Sequence, residues 1–151
     1  MTFSTTFEND FDTVYLAHSY PYTYSDLQRY LNKIESDPRT GDKMQRKMLG
    51  QTLAGNPCDM LTITTFTDGP ERMRYKKGIV ISSRVHPGET GASYMMKGII
   101  DYLVGSSVGA KMLRDKYIFK IIPMINIDGV INGNSRCSLH GVDLNRCWID
   151  P

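Results

Sequence analysis

An α/β sandwich is the fold class this sequence predicts, on three observations. Two short apolar runs rich in β-branched residues, Gly78-Ile79-Val80-Ile81-Ser82 and Tyr117 to Met124, read as buried strands. Between them, Ala92, Met95, Met96, Ile99, Ile100 and Leu103 recur at the three- and four-residue spacing of one helix face. Both strands then run into polar, turn-forming residues, at the edge where open α/β sheets place ligands. Strand, helix and strand in that order make the two runs parallel neighbours joined by a right-handed crossover.

The length of 151 residues suits one ordinary domain with its own core. With 40% hydrophobic and 23% charged residues, the composition is that of a soluble globular protein. A formal net charge of +2 is too small to point to nucleic acid or an anionic membrane surface. No apolar run approaches the roughly 18 residues needed to cross a bilayer. Acidic residues in the first eleven positions replace the basic and apolar pattern of a secretory signal, which leads us to expect an intracellular protein. Cys58, Cys137 and Cys147 are odd in number and lack C-x-x-C spacing, so reduced thiols are expected.

Along the chain, Thr13 to His18 reads as a strand. Tyr20 to Tyr24 forms an aromatic turn whose rings are expected to pack. Ser25 with Gln28 has the spacing of a capping box, with Thr23 or Tyr24 as alternative helix starts. Leu27, Tyr30, Leu31 and Ile34 make the apolar stripe of that helix, and Asp37-Pro38 to Gly41 ends it. Lys47 to Leu53 and Met60 to Phe66 flank the turn residues Ala54-Gly55-Asn56-Pro57 and predict a hairpin, closed by Thr67 to Pro70. Val108 to Lys116 reads as a short helix, and Asn126 to Val130 and Asn132 to Arg136 as loops.

The candidate chemistry starts at His86-Pro87-Gly88-Glu89. His86 stands at the end of the first buried strand and Glu89 at the start of the next helix. An imidazole and a carboxylate three residues apart across a tight turn can converge on one ion, and zinc accepts both donor types. The other reading is a plain strand-to-helix turn with a carboxylate favoured by the helix dipole. Arg136, Asp143, Asn145 and Arg146 leave the sheet at the same edge. A planar guanidinium matches a carboxylate two-on-two, which suggests an anionic substrate group such as a peptide C-terminus.

Taken together, His86-Pro87-Gly88-Glu89, Asn126 to Arg136 and Asp143-Leu144-Asn145-Arg146, with Tyr20 to Ser25 and Gly55 to Pro57 before them, resemble the zinc metallocarboxypeptidases of the M14 family, cytosolic carboxypeptidase branch. The resemblance implies a three-layer sandwich on a mixed sheet, truncated to part of the family fold. Residues 1–19 would be the residual end of a preceding β-sandwich domain or a linker, and 20–151 the N-terminal half of the catalytic domain.

It also implies roles. His86 and Glu89 match two of three zinc ligands, and Asp143 the acid that orients the histidine. Asn145 and Arg146 match the pair holding the substrate's terminal carboxylate, and Arg136 the arginine that stabilises the oxyanion. One zinc ion is the implied cofactor, and a zinc-activated water would cleave the last peptide bond. The branch removes glutamates from polyglutamylated or acidic C-terminal proteins such as tubulin, in the cytosol.

This chain has Asn126-Ile127-Asp128-Gly129 where the branch has Asn-Pro-Asp-Gly, which keeps the turn and loses the proline's rigidity. The third ligand, the general-base glutamate and the capping tyrosine match nothing in the sequence, and His18 and His140 read as surface or loop histidines. A reading from another class follows from that gap: a catalytically inactive module binding metal or protein weakly. A zinc amidohydrolase acting on small acylated amino acids is a third, against which the Tyr-Pro-Tyr-Thr-Tyr-Ser segment argues.

Overall fold

The computed structural model describes residues 2–149, so the outer limits of the expected domains, residues 1 and 151, lie outside it. Helix α1, Tyr24–Ser36, starts at Thr23. The Thr23 hydroxyl accepts from the Asp26 amide at 3.1 Å, and the Thr23 amide donates to the Asp26 carboxylate at 2.8 Å. The capping box therefore lies two residues before Ser25 and Gln28, because the Gln28 amide is drawn 2.7 Å from buried Asp59 instead. Thr23→Ala is expected to cost about 1 kcal/mol of stability. Urea unfolding measures it, and an unchanged midpoint would refute the cap. Leu27, Leu31 and Ile34 carry the buried stripe.

Strands β1, Met44–Gln51, and β2, Pro57–Ile63, form the expected antiparallel hairpin, each starting slightly earlier than predicted. The second strand ends early because Thr64 turns its hydroxyl onto the carbonyls of Arg114 and Tyr117, at 3.0 and 2.9 Å. Gly55 sits at φ +81° in the connecting turn, a conformation that favours glycine. Pro70–Tyr75 is a helix, α2, where only a closing turn was expected. Pro70 at its first turn supplies a helical φ, and Glu71 and Arg74 sit at the ends the helix dipole favours.

Strands β3, Lys77–Ser82, and β4, Tyr117–Ile122, pair in parallel from Lys77↔Tyr117 to Ser82↔Ile122. The sheet order is β1-β2-β4-β3, antiparallel except for that last pair, which makes the sheet mixed. β3 was expected to be buried, yet it lies at the edge and Val80 is 71% exposed. Among the described residues only β4 pairs with it.

Helix α3, Thr90–Val104, buries Ser93, Met96, Ile100, Leu103 and Val104. The wider stripe expected here splits in two. Ala92, Met95 and Ile99 lie one step round the helix beside Ile81 of the edge strand, and Met95 is 73% exposed. Helix α4, Val108–Lys116, is the short helix expected there, and the Ser107 side chain caps it by accepting from the Ala110 amide at 3.2 Å.

Ile127–Asn132 forms a helix, α5, where a loop was read. The Asn126 side chain caps it by accepting from Gly129 at 3.1 Å, and Gly133 at φ +76° ends it. The strand expected over Thr13 to His18 is absent: these residues are irregular, and Tyr15 is 89% exposed with no strand beside it. The core joins α1, the sheet, α3 and α5 through Leu31, Leu61, Ile63, Ile100, Ile121 and Ile127. Each such burial contributes roughly 1.5–3 kcal/mol. No helix among the described residues is long and apolar enough to cross a membrane.

Candidate metal centre

The ends of β3 and β4 stay joined beyond the sheet. Ser83 donates to the Ile122 carbonyl at 3.1 Å, while Ile125 and Asn126 donate to the Ser83 and Arg84 carbonyls at 3.0 and 3.2 Å. Arg84 then takes a left-handed backbone, φ +57°, and turns the chain into Val85-His86-Pro87-Gly88. Its guanidinium is buried, and that burial pulls its pKa down from the ordinary arginine value.

Two glycines let this turn seat against its neighbours. A Cβ on Gly88 would stand 2.7 Å from the Ser135 carbonyl oxygen, and one on Gly129 would stand 2.5 Å from both the Asn126 side-chain oxygen and a Pro87 ring carbon. Gly88→Ala should push the 133–136 loop off the turn and cost about 1–3 kcal/mol. Thermal unfolding reads this directly; no loss of stability would mean the loop moves freely aside.

His86 is 7% exposed. Its Nδ1 lies 2.9 Å from Glu89 Oε1, and its Nε2 lies 3.1 Å from Asp143 Oδ1. Burial pushes the Asp143 carboxyl up, but hydrogen bonds from the Asn145 amide, His86 and Arg136 outweigh it and hold its pKa below the ordinary value. An ionised Asp143 only accepts, so the His86 tautomer with its proton on Nε2 is the one that satisfies this contact. Nδ1 then turns a lone pair toward the Glu89 carboxylate. Two such donors at 2.9 Å are held together by a shared proton or by a cation that both ligate.

Ligands of a tetrahedral zinc stand roughly 3.3 Å apart, given the usual bond lengths. His86 and Glu89 thus fit two positions of a zinc site, with Asp143 setting the tautomer from outside. The described residues contain no group of three or more His, Cys, Asp or Glu arranged to hold an ion.

Arg136 joins the cluster through Nε, 2.8 Å from Asp143 Oδ2. His86, Glu89 and Arg136 line one cavity of about 660 Å³, whose wall also includes His18, Ser19 and Tyr22. A second cavity, about 470 Å³, has mostly apolar walls such as Leu53, Val85, Leu139 and Trp148, and contains neither His86 nor Glu89.

Asn145 and Arg146 are outside the first cavity's lining. Asn145 meets the cluster through its amide, 2.9 Å from Asp143 Oδ1, while its side chain accepts from Trp148 at 2.8 Å. Arg146 is exposed, with Nη1 3.1 Å from the Asn145 carbonyl. His18 and His140 are exposed, as read from the sequence. Sequence reasoning missed Arg84 and Asp128. The Asp128 carboxylate accepts from Thr52 at 2.6 Å, Asn56 at 2.9 Å and the Ala54 amide at 3.0 Å, tying the hairpin turn to α5. The polar turn Thr52 to Asn56 was the available signal.

The family model for zinc carboxypeptidases matches residues 27–151. The chain is 50% identical to cytosolic carboxypeptidase 4 of Mus musculus over 157 aligned residues, 100% of this chain and 14% of the relative. It is 48% identical to cytosolic carboxypeptidase 1 of Xenopus laevis, covering 100% of this chain and 13% of that one. The chain therefore spans about a seventh of the length of these relatives. Among solved structures, a metallo-carboxypeptidase from Burkholderia cenocepacia superimposes with a TM-score of 0.75 at 32% identity, over 87% of this chain and 34% of that one. Carboxypeptidase A from Helicoverpa armigera shares the fold, with a TM-score of 0.66 at 21% identity over 83% of this chain and 33% of that one. The mixed sheet with its helices is thus a zinc-carboxypeptidase fold, and the chain belongs to the zinc carboxypeptidase family.

Proposed function

We propose that these residues serve a zinc-dependent metallocarboxypeptidase that removes C-terminal glutamates from polyglutamylated or acidic protein tails, tubulin among them. The observation that carries the proposal is the convergence of His86 Nδ1 and Glu89 Oε1 with Asp143 on the far ring nitrogen. His86 and Glu89 would hold the metal. Zinc, when bound, supplies a water acidified toward neutral pH and a Lewis acid for the scissile carbonyl.

The chain's own residues have narrower tasks. Asp143 keeps the His86 proton on Nε2, so that Nδ1 stays free to donate its lone pair. Arg136 spends its Nε on Asp143, which aims the rest of the guanidinium for an oxyanion. Asn145 and Arg146 would receive the substrate's terminal carboxylate, a role for which Arg146 is exposed at the surface. Removal of glutamate is supported by the resemblance to the cytosolic branch, and the cytosolic names of the relatives support that location. Turnover is assigned to the whole gene product, since the described residues form no three-donor group and the sequence matches neither the family's third ligand nor its general base.

The test is glutamate release from a glutamate-tailed peptide by that whole product. Release stopped by a zinc chelator and restored by zinc is the expected result; release indifferent to the chelator overturns the reading. The lack of a three-donor group favours a second reading for the 151 residues taken alone, a module that binds metal or protein weakly. The 151-residue chain by itself is expected to release no glutamate, and chelator-sensitive turnover by it would contradict that.

A further inference from the structure

We infer that Arg84 is a positioning residue of this site: its buried guanidinium clamps the turn carrying His86 and Glu89 and so sets the separation of the two donors. The inference rests on the zinc reading above and names a residue that reading does not use. Arg84 is 4% exposed. Its Nε donates to the Pro87 carbonyl at 2.8 Å, and its Nη1 to Ser93 Oγ at 2.7 Å and to the Tyr22 carbonyl at 3.2 Å. One side chain thus holds the middle of the His86–Glu89 turn, the first turns of α3 and the aromatic segment that walls the cavity.

Two costs are concentrated here, and neither serves stability. Every acceptor the guanidinium has is a neutral oxygen, and among the described residues no carboxylate forms an ion pair with it. A buried cation without an anion is a poor stabiliser beside an apolar side chain of the same volume. The backbone of the same residue stands at φ +57°, which disfavours any side chain with a Cβ. Strain and an uncompensated charge two residues before a metal donor are what a positional constraint looks like, since backbone outliers cluster where geometry is held for function. The fork explains the residue type: Nε and Nη1 point to different elements, which a lysine ammonium on a flexible stem would not fix.

The test uses the whole protein and compares Arg84→Met with the parent by two readouts. The first is zinc affinity by competition with a chelating dye. The second is the ring-nitrogen NMR shifts of His86 in metal-free protein, which report the bonds to Glu89 and Asp143 without any metal. Arg84→Met is expected to unfold cooperatively like the parent, to bind zinc about 10–100-fold more weakly, and to lose the single-tautomer signature of His86. For Arg84→Gly, which relaxes the backbone, added guanidinium ion should restore part of the affinity.

A folded Arg84→Met with the parent's affinity and ring shifts overturns the inference. If Arg84→Met does not fold, Ser93→Ala, which removes one acceptor, is read in the same way. Weaker zinc binding and altered His86 shifts in it support the clamp; both unchanged overturn it. A parent that binds no zinc while Arg84→Met alters the His86 ring shifts sinks the zinc reading and keeps the clamp.

Discussion

Replacing His86 by alanine in the whole protein is expected to remove zinc and peptidase activity together. The ring supplies one of the two converging donors, and no other histidine among the described residues bonds to Glu89 or Asp143: His18 lines the same cavity but is exposed. Loss of an outer partner of a metal ligand typically costs 10–100-fold in affinity, so loss of the ligand should exceed roughly 100-fold. Asp143→Asn falls between: the amide can offer N–H to Nε2, which permits the wrong tautomer and weakens the metal without deleting a donor. Metal content by elemental analysis and glutamate release are measured on the same preparation. Activity surviving in a zinc-free His86→Ala protein would refute the assignment of His86 as a ligand.

The largest expected effect on stability is at Asp59. It is 7% exposed and meets Arg46 two-on-two, Oδ1 to Nε at 2.8 Å and Oδ2 to Nη2 at 3.0 Å. Gln28 adds a bond to Oδ2 at 2.7 Å, and Arg46 reaches Asn32 at 2.8 Å, so the cluster pins α1 to the β1–β2 hairpin. The hydrogen bond to Asp59 raises the Arg46 pKa above its ordinary value. Asp59→Ala leaves a largely buried guanidinium with only the half-exposed Glu35 carboxylate, 3.8 Å away, and should cost about 3–5 kcal/mol. Removing both charges with apolar residues of similar size, Arg46→Met with Asp59→Leu, should recover much of that, because no unpaired charge remains. Urea unfolding of the two single variants and the double variant measures the coupling. A loss under about 1 kcal/mol for Asp59→Ala would place the pair with surface ion pairs.

Much of the fold was legible from local pattern. The stripe Leu27, Leu31, Ile34 follows the helical repeat, the turn at Gly55-Asn56 separates two strand-like runs, and the parallel pair announces itself as two apolar runs around a helix. The errors share one cause. The capping box went to Thr23 and Asp26 because Asp59, 31 positions after Gln28, claims that side chain. The segment Thr13 to His18 has strand-like residues and no strand to pair with. Gly129 looks like a helix breaker, yet it sits inside α5 because the close approach of Pro87 and Asn126 admits no larger residue.

The candidate site divides along the same line. The sequence by itself determined the His-x-x-Glu spacing, the acid and amide that follow, and through them the family, because donors three residues apart across a turn converge by local geometry alone. The tertiary structure decided which ring nitrogen of His86 faces Glu89 and which faces Asp143, 57 residues later. It also decided that Arg136 reaches the same carboxylate, and that Arg84 turns inward to hold the whole. Backbone periodicity repeats over a few residues and can be read from a string. A contact across 57 residues exists only once the parallel register of β3 and β4 has brought their loops to one edge.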